Sequence, residues 1–436
     1  MIKGIAAGIT VILIAGCSGS SEVAEKPPVG TSEATTPAPA EGNAQAPATL
    51  TMEQKLADFD YMWRILEENY AFLEVNKRLN GEDWLANKEV YRSRIASAKT
   101  DDLFLRGMRF VLSELHNGHT RILSEEVYAK MMQVYGQGGP EYEPWLRVLQ
   151  QPGVLARYNW QPIAPRPVAT ESGSSSSTAA GTDHAGGGPS GNVTKVVVEP
   201  GHTAYLGFKS FGGEFMERDA PVIRDFLTEV KDYQTLILDI RGNGGGNSNY
   251  WGAIVVPMLI SAPVDNVTYD LYRGGEYAAD FMKARGLVDL SPIEELQNEA
   301  LPNLPPEAST QFQSYSKWEN NIVPFHPVGF KGKIFLLVDS HVYSAAEGFA
   351  VFAKNTNFAT LVGVRTGGDG IGIDPLLLAL PHSGYVASFS FSMGLVSDGS
   401  CNEEMKTLPD VEVDPDASRP LPDQPAVRKV LELAGK

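Results

Sequence analysis

Apolar positions along the chain change their spacing between its first and second halves. From Thr51 onward they recur every three or four residues, with Leu56, Phe59, Met62, Leu66 and Tyr70 on one face behind the capping-box pattern Thr51-Met52-Glu53-Gln54. The same spacing predicts helices over 82–98 and 101–115, the latter carrying Leu105, Met108, Leu112 and Leu115, so residues 51–123 read as a small helical domain. From Val193 the pattern becomes short apolar runs alternating with amphipathic stretches: strand over 203–208, helix over 215–231, strand over 235–240, helix over 250–260, strand over 267–272. Such alternation predicts an α/β core over 193–415 with a mostly parallel sheet. Between the two lies a stretch, 124–192, read as irregular and low-complexity linker: 135–167 is rich in Gly, Pro, Tyr and Trp, and 171–191 is low-complexity. Residues 282–325 read as a polar, Pro-rich loop, a rim or lid around a cleft, and 416–436 as a C-terminal tail or helix.

The first residues change where the protein is expected to work. An apolar run, Ile9 to Ile14, is too short to span a bilayer and ends in Ala15-Gly16-Cys17, the form of a lipoprotein signal with Cys17 as the acylated residue. Residues 18–50 hold Ser, Ala, Pro, Gly and Glu with almost no large apolar side chain, and read as a tether. The expectation is a protein anchored by lipid in the cell envelope, facing the periplasm or the exterior. There are two cysteines, so Cys401 has no disulfide partner if Cys17 carries lipid, and the core is held by apolar burial. A formal charge of −17 disfavours nucleic acid and anionic lipid surfaces as partners. Neither H-E-x-x-H nor a paired C-x-x-C occurs among the seven histidines and two cysteines, so no metal and no cofactor is expected.

Candidate chemistry lies in two glycine-containing turns. The run Ile334-Phe335-Leu336-Leu337-Val338 reads as a buried strand, followed by the polar turn Asp339-Ser340-His341 and a helix starting at Ser344-Ala345-Ala346-Glu347. A helix start presents unpaired N–H groups that favour negative charge, so Ser344 is placed either to attack a carbonyl or to cap the helix. Earlier, the strand over 235–240 runs into Arg241-Gly242-Asn243-Gly244-Gly245-Gly246, which matches neither G-x-G-x-x-G nor G-x-x-x-x-G-K-[ST]. It reads as a second source of N–H groups for an oxyanion.

Ala204-Tyr205-Leu206-Gly207-Phe208 with Ser210-Phe211, Leu238-Asp239-Ile240-Arg241-Gly242-Asn243-Gly244-Gly245, Ser344-Ala345-Ala346-Glu347, Gly363-Val364-Arg365-Thr366-Gly367-Gly368 and Pro409-Asp410-Val411 occur in an order that resembles the C-terminal processing (tail-specific) serine peptidases and their tricorn-core relatives. The resemblance covers about 193–414, with a weaker match in the N-terminal helices. It implies a ClpP/crotonase-like spiral of βαβ units preceded by a small helical bundle, and hydrolysis of peptide bonds in unfolded or C-terminally exposed polypeptides. One branch of that family takes its base from a Lys in Thr-x-Gly-Lys-Gly; here Asp369 of Thr366-Gly367-Gly368-Asp369-Gly370 stands at the Lys position, so a Ser/Lys dyad is not expected and Asp369→Ala is expected to retain activity. The tricorn-like branch implies Ser344 as nucleophile, His119 of Gly118-His119-Thr120 as base, and Glu403, with Glu404 as its neighbouring competitor, orienting the imidazole; Asn117 stands where that branch usually has Asp. Ala345 N–H with a Gly244 or Gly245 N–H would hold the oxyanion, and His341 is a rival base. No intact PDZ domain is expected in 124–192. Two other functions fit the architecture: an inactive binding protein for peptide or apolar ligand, like the repeats of the interphotoreceptor retinoid-binding protein, and an acyl-CoA enzyme, which secretion disfavours.

Overall fold

The N-terminal helices form where the apolar spacing predicts them. Helix α1 (Met52–Asn69) begins with the capping box, Thr51 Oγ1 accepting from Gln54 N and Gln54 Oε1 from Thr51 N, and is followed by α2 (Leu73–Asn80), α3 (Lys88–Ala96) and α4 (Asp101–Ser113). The predicted helix over 82–98 is shorter, because Gly81 closes α2 in the left-handed region and the chain passes through a 3-10 turn at Leu85–Asn87 before the α-helix begins at Lys88. Trp63 of α1 stacks on Trp84 at 3.8 Å. The computed structural model describes residues 49–160 and 191–435. Cys17 and its lipid attachment, residues 18–48 of the tether and residues 161–190 of the linker lie outside the described residues.

After β1 (Arg121–Ile122), the stretch read as irregular is helical as far as it is described: α5 (Glu125–Gly136), α6 (Glu143–Leu149) and α7 (Pro152–Arg157). Its prolines misled the sequence reading. Pro144 and Pro152 occupy first turns, where a missing N–H costs nothing, and Tyr128, Met132, Trp145 and Val154 are buried.

The core continues with β2 (Val193–Glu199), β3 (Thr203–Phe208), α8 (Met216–Glu229), β4 (Thr235–Asp239), a π-type turn at Tyr250–Val255 leading into α9 (Val256–Leu259), and β5 (Val264–Tyr272). The segment read as a loop, 282–325, holds the end of α10 (Ala279–Ala284), β6 (Ser291–Pro292), α11 (Ala308–Gln311) and the nine-residue β7 (Ser314–Ile322), which pairs antiparallel with β5 along its whole length. One face of β7 is solvated, so its polar residues hid the strand. Then come β8 (Lys333–Val338), α12 (Ala345–Thr356), β9 (Thr360–Gly363), β10 (Leu376–Ala379), β11 (Val386–Phe389), β12 (Ser392–Leu395), α13 (Asn402–Met405), β13 (Val411–Glu412) and α14 (Pro425–Ala434).

The chain is α/β, with a six-stranded sheet in the order β13-β9-β8-β4-β3-β2. Every pair in it is parallel except β2 with β3, in line with the alternation of strands and helices. The helices of α8, α9 and α12 pack on one face and α14 on the other. Two antiparallel sheets accompany it, β1-β11-β10 and β12-β5-β7-β6. A single apolar cluster runs from α1 through α7 into β10, β11 and β12, so the helical region shares its core with these strands. Among the described residues no helix is long and apolar enough to cross a membrane.

Candidate active site

β8 carries the chain to Asp339, and α12 starts at Ala345 with Ser344 as its N-cap residue. Ser344 has φ 55 and ψ −128, a backbone conformation sparsely populated by any residue with a Cβ, and its hydroxyl makes no capping hydrogen bond. A strained residue whose side chain does no capping fits poorly with a purely structural serine. Its N–H donates to the Gly368 carbonyl at 3.3 Å.

The Gly-rich turn after β4 lies against this helix start. Gly245 has φ 99, and a Cβ there would stand 2.7 Å from the Tyr343 carbonyl oxygen and 2.8 Å from Ala345 N. At Gly246, with φ 141, a Cβ would collide with the Phe211 backbone. Both glycines are dictated by close backbone approach. Gly245 N–H already donates to Asn243 Oδ1 at 2.9 Å, and Gly244 faces a different cavity. Ala345 and Gly246 line the cleft of Ser344, and neither N–H has a hydrogen-bond partner among the described residues. Of the glycines named from sequence, Gly244 and Gly245 are therefore less suited to an oxyanion than Gly246.

His119 arrives from the other half of the molecule, just past α4, and lines the same cleft of about 780 Å³ as Ser344 and Asp369. Its Nδ1 lies 2.8 Å from Asp369 Oδ2, and its ring packs on Tyr343 at 4.8 Å between centroids. Asp369 Oδ2 also accepts from Ser390 Oγ at 2.7 Å, Asn117 Nδ2 at 2.9 Å and Tyr343 OH at 3.2 Å. Burial alone would raise the Asp369 carboxyl, but the His119 charge and the hydrogen bonds from His119, Asn117 and Ser390 outweigh it and hold the group below the usual carboxylate range. An ionised Asp369 only accepts, so in the neutral imidazole the proton sits on Nδ1 and Nε2 is left as the basic nitrogen.

Glu403, expected from sequence to orient the imidazole, is not hydrogen-bonded to it. Its Oε1 accepts from Asn117 Nδ2 at 3.0 Å, while Oε2 is buried without a partner. Burial, reinforced by the Asp369 charge, pushes its carboxyl up to about 8. The partner of His119 is Asp369 because the turn 366–370 folds back between Ser344 and Asn117, which leaves Glu403 one hydrogen bond further away. Glu404 points elsewhere, paired with Arg78 at 2.6 Å. The rival base His341 is exposed, sits 3.6 Å from Asp339, and lines the other cavity rather than the cleft of Ser344. Asp369, read from sequence only as a missing lysine, carried a usable signal, since a carboxylate in that turn can serve the histidine. Ser390 and Tyr343 carried none. Among the described residues no three His, Cys, Asp or Glu side chains are grouped to hold a metal ion.

Comparison with known proteins bears on the family and the fold. The sequence matches peptidase family S41 over residues 202–413 and the tricorn protease C1 domain over residues 53–108. No match was found among curated protein sequences. Among solved structures, the chain shares its fold with a protein of Parabacteroides merdae ATCC 43184 provisionally described as a peptidase, at 18% identity over 87% of this chain and 96% of that one, TM-score 0.55. It also shares its fold with mature CPAF complexed with lactacystin, at 16% identity over 83% and 94%, TM-score 0.52. Residues 202–413, which hold Ser344 and Asp369, are thus a peptidase family S41 domain, preceded by helices that match the tricorn protease C1 domain.

Proposed function

We propose that the protein is a serine endopeptidase in which Ser344 attacks the scissile carbonyl, His119 takes and returns the proton, and Asp369 orients the imidazole. The observation that carries this reading is the 2.8 Å contact between His119 Nδ1 and Asp369 in a cleft shared with a strained Ser344 at the start of α12. Attack transfers the Ser344 proton to His119 Nε2 as the Oγ–carbon bond forms, and the Ala345 and Gly246 N–H groups receive the charge that develops on the carbonyl oxygen. His119 then gives the proton to the departing amine, and water resolves the acyl-enzyme by the same route. Asp369 replaces Glu403 in the role assigned from sequence, so Asp369→Ala is now expected to disable the enzyme. Polypeptide substrates follow from the family; unfolded or C-terminally exposed chains are the proposed class, because an open cleft with α5 along one wall admits extended chain more readily than folded surface.

A fluorophosphonate probe tests the reading without a known substrate. Labelling should be stoichiometric, map to Ser344, vanish in Ser344→Ala, and fall about a thousand-fold or more in His119→Ala and Asp369→Asn. Full labelling of Asp369→Asn would return the orienting role to another acid. A folded wild type that never labels would favour the inactive binding protein.

A further inference from the structure

Asn117 is buried where the chain leaves α4 toward His119, and the two ends of its amide do different work. Oδ1 serves its own segment, accepting from His119 N at 3.1 Å and Thr120 Oγ1 at 2.8 Å, which fixes the turn that presents the imidazole. Nδ2 crosses to the sheet half, donating to Asp369 Oδ2 at 2.9 Å and Glu403 Oε1 at 3.0 Å. Chemistry settles which end is which: a backbone N–H can only donate, so the atom facing His119 N is the oxygen, and the carboxyls face the nitrogen. Four donors converge on Asp369 Oδ2. Ser390 and Tyr343 belong to the same half as Asp369 and hold it only within that half. Apart from the imidazole itself, Asn117 is the donor that comes from the segment carrying the base.

We infer that Asn117 is a positioning residue for the reaction: its amide nitrogen keeps Asp369 in register with the His119 imidazole, so that an acid at 369 requires an amide, and not a second acid, at 117. The role rests on the proposed peptidase mechanism, in which His119 and Asp369 act as a pair. It also gives a physical reason for Asn117 standing where the resembling branch usually has Asp. An aspartate would keep the acceptor end, but its second oxygen would face Asp369 and Glu403 with no hydrogen to offer either. The titratable and charged groups around this network are His119, Glu403, Glu347 and Lys406, the phenols of Tyr70 and Tyr343, the Cys401 thiol, and Asp270 on the far side of Asp369. Arg121 lines the cleft beside His119. Lys406 is the nearest cation to Glu403, so a new carboxylate at 117 would add to an excess of buried acid.

Two variants separate the donor end from the acceptor end. Asn117→Asp keeps an oxygen for His119 N and replaces the donor with a charge; Asn117→Ser keeps an oxygen for the same N–H and adds no charge. Both should slow fluorophosphonate labelling of Ser344 at neutral pH about tenfold or more, the order of effect of losing one hydrogen bond to a charged group. In Asn117→Asp the added charge favours the imidazolium, so the rise of labelling with pH should begin about one unit higher than in wild type, a displacement absent in Asn117→Ser. A folded Asn117→Ser that labels at the wild-type rate overturns the role, whether or not Asn117→Asp folds, and leaves Asn117 to shape the turn alone. An independent reading needs no nucleophile: in full-length Ser344→Ala, the proton between His119 Nδ1 and Asp369 should give a far-downfield NMR resonance that is absent after His119→Ala and displaced or lost after Asn117→Ser. Slower labelling with that resonance unmoved overturns the role. A resonance that responds to Asn117→Ser in a protein that never labels leaves the positioning standing and counts against the peptidase mechanism.

Discussion

Two buried carboxylates a single asparagine apart are driven in opposite directions. Asp369 accepts four hydrogen bonds and stays ionised, whereas Glu403 accepts one, lies beside that charge, and is pushed up to about 8. In the unfolded chain a glutamate titrates near about 4.3. As pH rises, the unfolded state therefore releases the Glu403 proton first, and stability falls between about pH 4.5 and pH 8, above which the loss is complete. Asp369 works the other way, contributing stability above its unfolded value that is lost as pH falls through its lowered folded one. Glu403→Gln should flatten the first slope: in thermal unfolding followed from pH 5 to pH 9, wild type should lose several degrees relative to the variant. Parallel curves would mean that Glu403 ionises freely in the folded protein.

Among the elements, α12 does more than present Ser344. Glu347 in its first turn is fully buried, and its Oε1 accepts from Asn402 Nδ2 at 2.8 Å and Thr407 Oγ1 at 2.6 Å. Asn402 Oδ1 in turn accepts from Gly370 N at 2.8 Å, so one side chain ties α12, α13 and the turn that carries Asp369. Asn402→Ala leaves buried groups on both sides unpaired and should cost about 3 kcal/mol in urea unfolding. Labelling of Ser344 should weaken even under conditions where the variant is fully folded. A cost below about 0.5 kcal/mol would show that water takes over these bonds. On the opposite wall of the cleft, α5 supplies Val127, Met131 and Val134, and its Lys130 reaches Glu214 at 3.5 Å across the opening. At 60% and 36% exposed, that pair contributes little stability.

For the whole molecule, the site lies at a joint. His119 belongs to the helical half and Ser344 to the sheet half, and the apolar cluster that joins them includes α1 to α7 together with β10, β11 and β12. Asp58 of α1, fully buried, accepts from the backbone N–H groups of His382 and Ser383, 2.8 Å each, in the turn between β10 and β11. A chain of residues 191–435 alone would expose Leu377, Val386 and Phe389 and leave that turn unpaired, and should show no cooperative unfolding transition by circular dichroism. A cooperative transition matching that of the full chain would show that the core stands alone. The envelope location is proposed from Ile14-Ala15-Gly16-Cys17: expressed in a bacterial host, the protein should incorporate palmitate and Cys17→Ala should not, and equal incorporation would remove the anchor.

What the sequence determined by itself was local. Apolar spacing marked α1 and α4, the alternation of runs marked the strands and helices of the parallel sheet, and the order of short motifs singled out Ser344, His119 and the Gly-rich turn as candidates. Each of these is written in residues a few positions apart, where helix and strand periodicity leave a trace. The partner of His119 is 250 residues away, and although a carboxylate in the 366–370 turn was a usable hint, local sequence does not rank Asp369 above Glu403 as the acid for that ring. Only the tertiary structure decided between them, by folding the 366–370 turn against Asn117 so that one carboxylate collects four donors and the other is left short of partners. The same holds for α5 to α7 and β7, whose prolines and polar residues disguise elements that burial on one face stabilises. Burial and long-range hydrogen bonding, which select one pairing among many that are locally acceptable, are properties of the assembled sheets and not of any segment.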